Sequence, residues 1–512
     1  MKKTLFTLIT LITSVAYSQT VYYVDPSATG SNDGSSWANA YTDLETAVSD
    51  ATASSNIDIW VKQGTYAPSD SAKIVFLLLA NGVHLYGGFD GTESNFFERE
   101  PKNNITILDG DAFQNDTGPV NVTNSSRSDN AYTVVYMRPS DTSNIRGLII
   151  DGFTIRGGNS RSTTQSNDQR YGGGIFVTAA AQGGQSFLNI AKISNCIIEY
   201  NSAQYESGIA TRTFSQELTV TLIENTIFRA NGSVGHVVGN AAQSYPAATF
   251  ITNCLFTGNE TTLGNLISTS TQNQNYSSEL YIMNSTFADN NIGNKTLFNI
   301  YNPYSSGASV RMGVYNSIFS EPLGDTLFKN SATGIADTFK LENNVINSPQ
   351  ILHSGNFAHL DFSNNLVATS PQFVGGSNYE LTSSSPAVNH GNLSYYNNFY
   401  PSVLQSTMPG QDLGGNYITG TTLDAGAYQL VTASLDQIDN SHLVRVYPNP
   451  ATQEINIEVK ENTEIQIFNN QGQLMKQLSL TKGLNQININ NLSQGLYYLQ
   501  TISGDHYKFI KK

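Results

Sequence analysis

Asn195-Cys-Ile-Ile-Glu-Tyr-Asn201, Asn225-Thr-Ile-Phe-Arg-Ala-Asn231, Asn253-Cys-Leu-Phe-Thr-Gly-Asn259 and Asn284-Ser-Thr-Phe-Ala-Asp-Asn290 are copies of one pattern, with Asn at each end and apolar residues between. Asn316, Asn343 and Asn364 open weaker copies, so that the series advances by 30, 28, 31, 32, 27 and 21 residues. After a short turn each copy is followed by a second apolar run: Gly208-Ile209, Gly235-His236-Val237, Leu266-Ile267, Leu297-Phe298 and Leu327-Phe328. The runs are short, rich in Ile, Val, Phe and Thr, and bounded by Asn and Gly. None sustains apolar spacing over the length of a helix, so they predict strands. Short strands that recur without hairpin alternation predict a chain that coils once per repeat and stacks parallel strands ~4.8 Å apart. The Asn recurring at one turn of every coil then has a role: its amide accepts from and donates to the copies above and below, satisfying turn backbone that stacking would bury.

The chain around these repeats has 512 residues, of which only 13% are charged, with 26 Lys+Arg against 40 Asp+Glu. Ordinary soluble domains carry about 25% charged residues. Here Asn, Ser, Thr and Gln supply the polar surface, and 27 Tyr and 24 Phe beside 15 Pro suit β-structure with polar turns. A net charge of −14 argues against sequence-independent nucleic-acid binding, which needs a basic field to displace counterions from phosphates, although it leaves room for a local basic patch. Lys2 and Lys3, the apolar run Leu5 to Val15 and small residues at Ala16 and Ser18 predict a signal peptide over residues 1–18. No later stretch reaches the ~20 apolar residues of a spanning helix. Cys196 and Cys254 share one repeat position two coils apart, ~9.6 Å, which is beyond disulfide reach and predicts two unpaired core thiols.

The repeats resemble the right-handed parallel β-helix superfamily that includes pectate lyases. Phe228-Arg-Ala-Asn231, Phe256-Thr-Gly-Asn259 and Phe287-Ala-Asp-Asn290 are similar to the FxxN repeat, and Gly172-Gly-Gly-Ile175 to the GGAI partner, of chlamydial polymorphic outer-membrane proteins. Val21-Tyr-Tyr-Val-Asp25, Asp33-Gly-Ser-Ser-Trp37 and Tyr41 to Ala53 resemble the opening segment of exported bacterial β-helices, with Leu44, Ala47, Val48 and Ala51 on one face of a short capping helix. Ile59 to Tyr66 resembles a first coil. Ser385 to Gly391, Asp412 to Asn416 and Asp424 to Tyr428 resemble the segment that closes the far end. From Val446-Tyr-Pro-Asn-Pro450 onward, alternating strands resemble the C-terminal sorting domain of the type IX secretion system, which implies export, removal of the domain and attachment at the cell surface. The expected order is signal peptide 1–18, N-terminal cap 19–58, all-β right-handed β-helix 59–430, linker 431–445 and an Ig-like sorting sandwich 446–512.

Catalytic motifs are sparse. GxxxxGK[ST], HExxH, CxxC and GxSxG are missing from the sequence, as are the adjacent Asp pair of a polygalacturonase-like site and the RxPxxR of pectate lyases. Eight of the eleven Arg fall between Arg127 and Arg229. Arg156, Glu199 and Arg229 occupy one rung on successive coils and are expected to point to solvent, either as a salt-bridge ladder or, with Tyr205, as a face that clamps the oxyanions of an acidic glycan. Glu206, Arg212 and His236 are candidates as acid, neutraliser and base for β-elimination from a uronate. Asp25, Asn32, Asp33 and Gly34 read as a calcium loop or as plain turns. The resulting expectation is a secreted or surface-attached, monomeric β-helix protein that binds polysaccharide or acts as an adhesin. The alternative is a polysaccharide lyase or glycoside hydrolase acting on an acidic polysaccharide.

Overall fold

The computed structural model describes residues 20–54, 57–69, 75–80, 82–138, 147–162, 169–178, 188–214, 218–293, 296–304, 307–321, 326–331, 338–348, 353–401, 408–418, 422–430, 443–448, 450–459, 462–469, 473–501 and 506–512. The signal peptide and nearly all of the expected linker lie outside them. The chain divides into two compact units, one holding Val21–Asn440 and the other Ser441–Lys512.

The larger unit is a right-handed parallel β-helix. Its described strands form parallel sheets of eleven, ten, nine and five strands, with successive coils adding successive strands to the three long sheets and five central coils also adding a short strand to the fourth. The repeats set the register one residue to one. Ile155, Ile198, Phe228, Phe256, Phe287 and Phe319 form a single inward row of the ten-stranded sheet. The Phe228, Phe256 and Phe287 rings stack at centroid distances of 4.5 and 4.8 Å, the spacing of the strands themselves. Cys196 and Cys254 are unpaired and buried as expected, and burial pushes each thiol up to about 12.

The expected Asn ladder is present, and the two Asn of each repeat do different jobs. The closing Asn forms the ladder: Asn201 Nδ2 donates to Asn231 Oδ1 at 3.2 Å, Asn231 to Asn259 at 2.9 Å and Asn259 to Asn290 at 2.8 Å. Each also donates to a carbonyl of the preceding coil. Glu321 takes the next place and accepts from both the backbone and side-chain N–H groups of Asn290. The opening Asn residues instead take left-handed backbone, with φ from 46° at Asn225 to 58° at Asn343, a conformation that Asn tolerates better than other side chains with a Cβ.

The side chains of those opening Asn hold the segment that was expected to close the far end. Asn253 Nδ2 donates to Tyr396 Oη and to the Gln411 carbonyl, Asn284 to the Asp424 carbonyl and Asn316 to the Asn392 carbonyl. The described residues between 373 and 430 thus lie along the flank of the solenoid rather than across its end. Tyr400 packs on Ile190, Val220, Leu222 and Phe250, and Lys102, near the first coils, donates to the Gly414 carbonyl. At the other end helix Leu44–Ser54 buries Leu44, Ala47, Val48 and Ala51 against the strands Ile57–Lys62 and Val75–Ala80, as the sequence predicts.

The smaller unit is a sandwich of antiparallel sheets. One holds Leu443–Tyr447, Glu454–Val459 and Gly483–Asn488, and the other Leu474–Leu480, Thr463–Asn469, Gly495–Thr501 and His506–Lys511. Its core is the inward half of each alternation, including Ile455, Ile457, Ile465, Ile467, Leu499 and Phe509.

Two outcomes follow from the ladder. Asn259→Ala removes the acceptor shared by the backbone and side-chain N–H groups of Asn231 and the side-chain donor to the Phe228 carbonyl, and should lower unfolding free energy by about 1–3 kcal/mol in denaturant titration. Burial raises the Glu321 carboxyl from 4.5 to about 8, against the pull of both Asn290 bonds. A carboxyl raised in the folded state stabilises fully below its unfolded value, and that contribution is lost as pH rises through the folded value. Stability should therefore fall between about pH 4.5 and 8, and Glu321→Gln should flatten this part of the profile in denaturation curves taken across that range.

Candidate functional site

Strands Glu206–Thr213 and His236–Ala242 are neighbours in the nine-stranded sheet, with Glu206 opposite His236 and Arg212 opposite Ala241. Ile209 and Thr211 pair with Val238 and Asn240, while Ala210 and Arg212 stand on the opposite, outer face. The parallel register places Ala210, Gly239, Ser268, Asn299 and Lys329 in one outer row. Its first three members are small, and the row sinks into a groove made of two adjoining clefts of about 330 and 210 Å³ that share Tyr205, His236 and Asn299. Tyr205, Leu263 and Tyr301 stand exposed at the rim.

The structure brings Tyr205, Glu206, Arg212 and His236 together in this groove. Arg212 Nη2 donates to Glu206 Oε1 at 2.7 Å, with both residues buried. The guanidinium lies 3.7 Å from the ring centre of Tyr171 and 5.8 Å from that of Tyr205. Arg170 packs on the other side, 4.6 Å from the Tyr205 ring, and donates to Tyr171 Oη. The carboxylate of Glu206 reaches across the next coil because residue 239 is glycine: a Cβ there would come within 2.5 Å of Glu206 Cγ. Tyr171, Gly239, Asn299 and Lys329 were not singled out from the sequence. Extending the repeat alignment to the outer row would have found Gly239, Asn299 and Lys329, whereas Tyr171 arrives from a turn that the repeats do not cover.

His236 Nδ1 lies 3.1 Å from the Asn265 backbone nitrogen and 3.2 Å from the Asn265 carbonyl, so the ring is held against the next coil in either tautomer. Burial holds the imidazole below its ordinary value, which favours the neutral ring at pH 7. Arg212, expected to neutralise a substrate carboxylate, is itself neutralised by Glu206.

The charged ladder runs on the ten-stranded sheet and is one member longer than the sequence suggested: Asp109, Arg156, Glu199 and Arg229 are in register. Arg156 Nε donates to Asp109 Oδ2 at 2.7 Å, and Arg229 Nε to Glu199 Oε2 at 2.6 Å. The expectation that all three point to solvent fails at Glu199, which is 5% exposed and lies beneath its arginine partner. Beside this ladder Asp109, Asp111, Asp116 and Arg127 line a further cleft of about 360 Å³. Arg127 is buried there and pins the cleft, donating to Asp116, Ser202 and the carbonyls of Gly158 and Tyr200. In the opening segment, Asp25 accepts from Lys62 Nζ at 2.8 Å, Asp33 from Ser31 and Ser35, and Asn32 from Thr42. Among the described residues no group of three or more His, Cys, Asp or Glu is placed to hold a metal ion.

The fold defines a parallel β-helix solenoid. Residues 445–512 match the family model described as the secretion system C-terminal sorting domain. No curated protein matches the chain. The sorting domain marks the protein for type IX export to the cell surface or the extracellular space, and among the described residues no helix is long and apolar enough to cross a membrane.

Arg229 is nearly half exposed, which screens its pair with Glu199. Arg229→Ala should lower stability by about 1 kcal/mol in thermal or denaturant unfolding.

Proposed function

We propose that the exported solenoid binds polysaccharide along the groove of the nine-stranded sheet and serves as a surface-displayed adhesin, with the sorting domain engaging the secretion machinery and being removed on export. The observation that carries this reading is the groove itself. It is a row of small residues flanked by exposed Tyr205 and Tyr301, with buried polar groups of Glu206, Arg212 and Asn299 along its wall. Concave sites of this composition, apolar at the rim with a few fixed polar groups, suit ligands that present both ring faces and hydroxyls.

Binding is favoured over cleavage by the chemistry of the lining. Glycoside hydrolysis uses two carboxyl groups flanking the bond, and Glu206 is the single carboxylate among the described residues of the groove. β-Elimination uses an unpaired cation beside the base, whereas Arg212 is paired with Glu206.

Affinity gel electrophoresis of the exported protein against neutral and acidic polysaccharides tests the reading. Retention should appear with at least one of them, and Tyr205→Ala should weaken it about tenfold, ~1.4 kcal/mol, with the melting temperature unchanged. Release of reducing sugar or unsaturated ends would instead establish an enzyme.

A further inference from the structure

The ion pair in the groove is incompletely satisfied. Glu206 and Arg212 are 3% and 5% exposed and are joined through Oε1 and Nη2 alone. Among the described residues no group reaches Glu206 Oε2, Arg212 Nε or Arg212 Nη1, and Asn299 Oδ1 likewise receives no donor. All three side chains line the same cleft of about 210 Å³. Buried polar groups in folded proteins are almost always paired, and charged ones most of all, so these open positions point to something that fills them.

The chemistry of the filler follows from the charges. The pair is neutral as a unit. A carboxylate or sulfate would satisfy Arg212 but meet the repulsion of Glu206, and an ammonium group would do the reverse. A hydroxyl satisfies both, because it donates through its hydrogen and accepts through its oxygen. Two adjacent hydroxyls do so together, one donating to Glu206 Oε2 and its neighbour accepting from Arg212 Nη1, with a third hydrogen bond available at Asn299 Oδ1.

Resting on the polysaccharide-binding reading, we infer that Glu206, Arg212 and Asn299 form a subsite for the vicinal diol of a neutral sugar ring that lies against Tyr205. Gly239 is the specificity-determining position, because only a residue without Cβ leaves the Glu206 carboxylate where it stands. Lys329, two strands beyond Ser268 in the outer row, ~10 Å along the axis, lies outside the subsite.

The test uses the exported protein in affinity gels containing galactomannan, xyloglucan, mixed-linkage β-glucan, polygalacturonate or alginate. Each is used intact and after periodate oxidation and borohydride reduction, which cleave vicinal diols and leave carboxylates in place. The inference predicts retention by at least one neutral polysaccharide, reduced about tenfold by the oxidation and to a similar extent by Glu206→Gln and by Gly239→Ala, each checked by its melting curve. Should both variants fail to fold, the comparison of intact and oxidised polysaccharide on the unaltered protein decides. Neutral retention that survives oxidation, or that survives both folded variants, would mean that water fills the pair and would overturn the inference. Retention by the acidic polysaccharides alone, abolished by Lys329→Gln, would overturn it while leaving the glycan-binding reading intact. Absence of retention by any of the five would overturn that reading too.

Discussion

The structure depends on one constraint, that a turn buried between coils must have its amides satisfied by the coils above and below. The run from Asn201 through Asn231, Asn259 and Asn290 to Glu321 meets it by placing an acceptor and a donor at the same point of each successive coil. A slip of one residue would break every bond of the ladder at once and turn the inward rows outward. Register is therefore fixed along the solenoid, and the stacked rings of Phe228, Phe256 and Phe287 follow from it.

Fixed register also governs the outer faces, where it produces two different results. On the ten-stranded sheet it alternates Asp109, Arg156, Glu199 and Arg229, so opposite charges meet and are consumed within the fold. On the nine-stranded sheet it aligns Gly239 and Ser268, and the missing side-chain volume becomes part of a groove. The charged face that looks suited to an anionic ligand is internally satisfied. The groove keeps a buried pair with open hydrogen-bonding positions. Function is better sought where the repeat leaves valences unfilled than where it gathers charge.

The solenoid, its N-terminal helix, the unpaired Cys196 and Cys254 and the sorting sandwich were legible in the sequence because each rests on a local pattern. The grouping of Glu206, Arg212 and His236 was legible for the same reason, since repeat alignment places them on adjacent coils. What escaped has a tertiary cause. The opening and closing Asn of a repeat look alike in sequence, and only the contacts with Tyr396 and Asp424 on the flank show why Asn253 and Asn284 face outward. The burial of Glu199 likewise depends on a partner from another coil, Arg229.

Hydrogen–deuterium exchange of the exported protein, with and without a retained polysaccharide, tests most directly whether the groove is the working face. The account predicts added protection over residues 204–214, 234–241 and 263–272, which carry Tyr205, Glu206, Arg212, His236 and Gly239 and the floor of the groove. Protection confined to the rungs of Arg156, Glu199 and Arg229, with none over the groove, would contradict it.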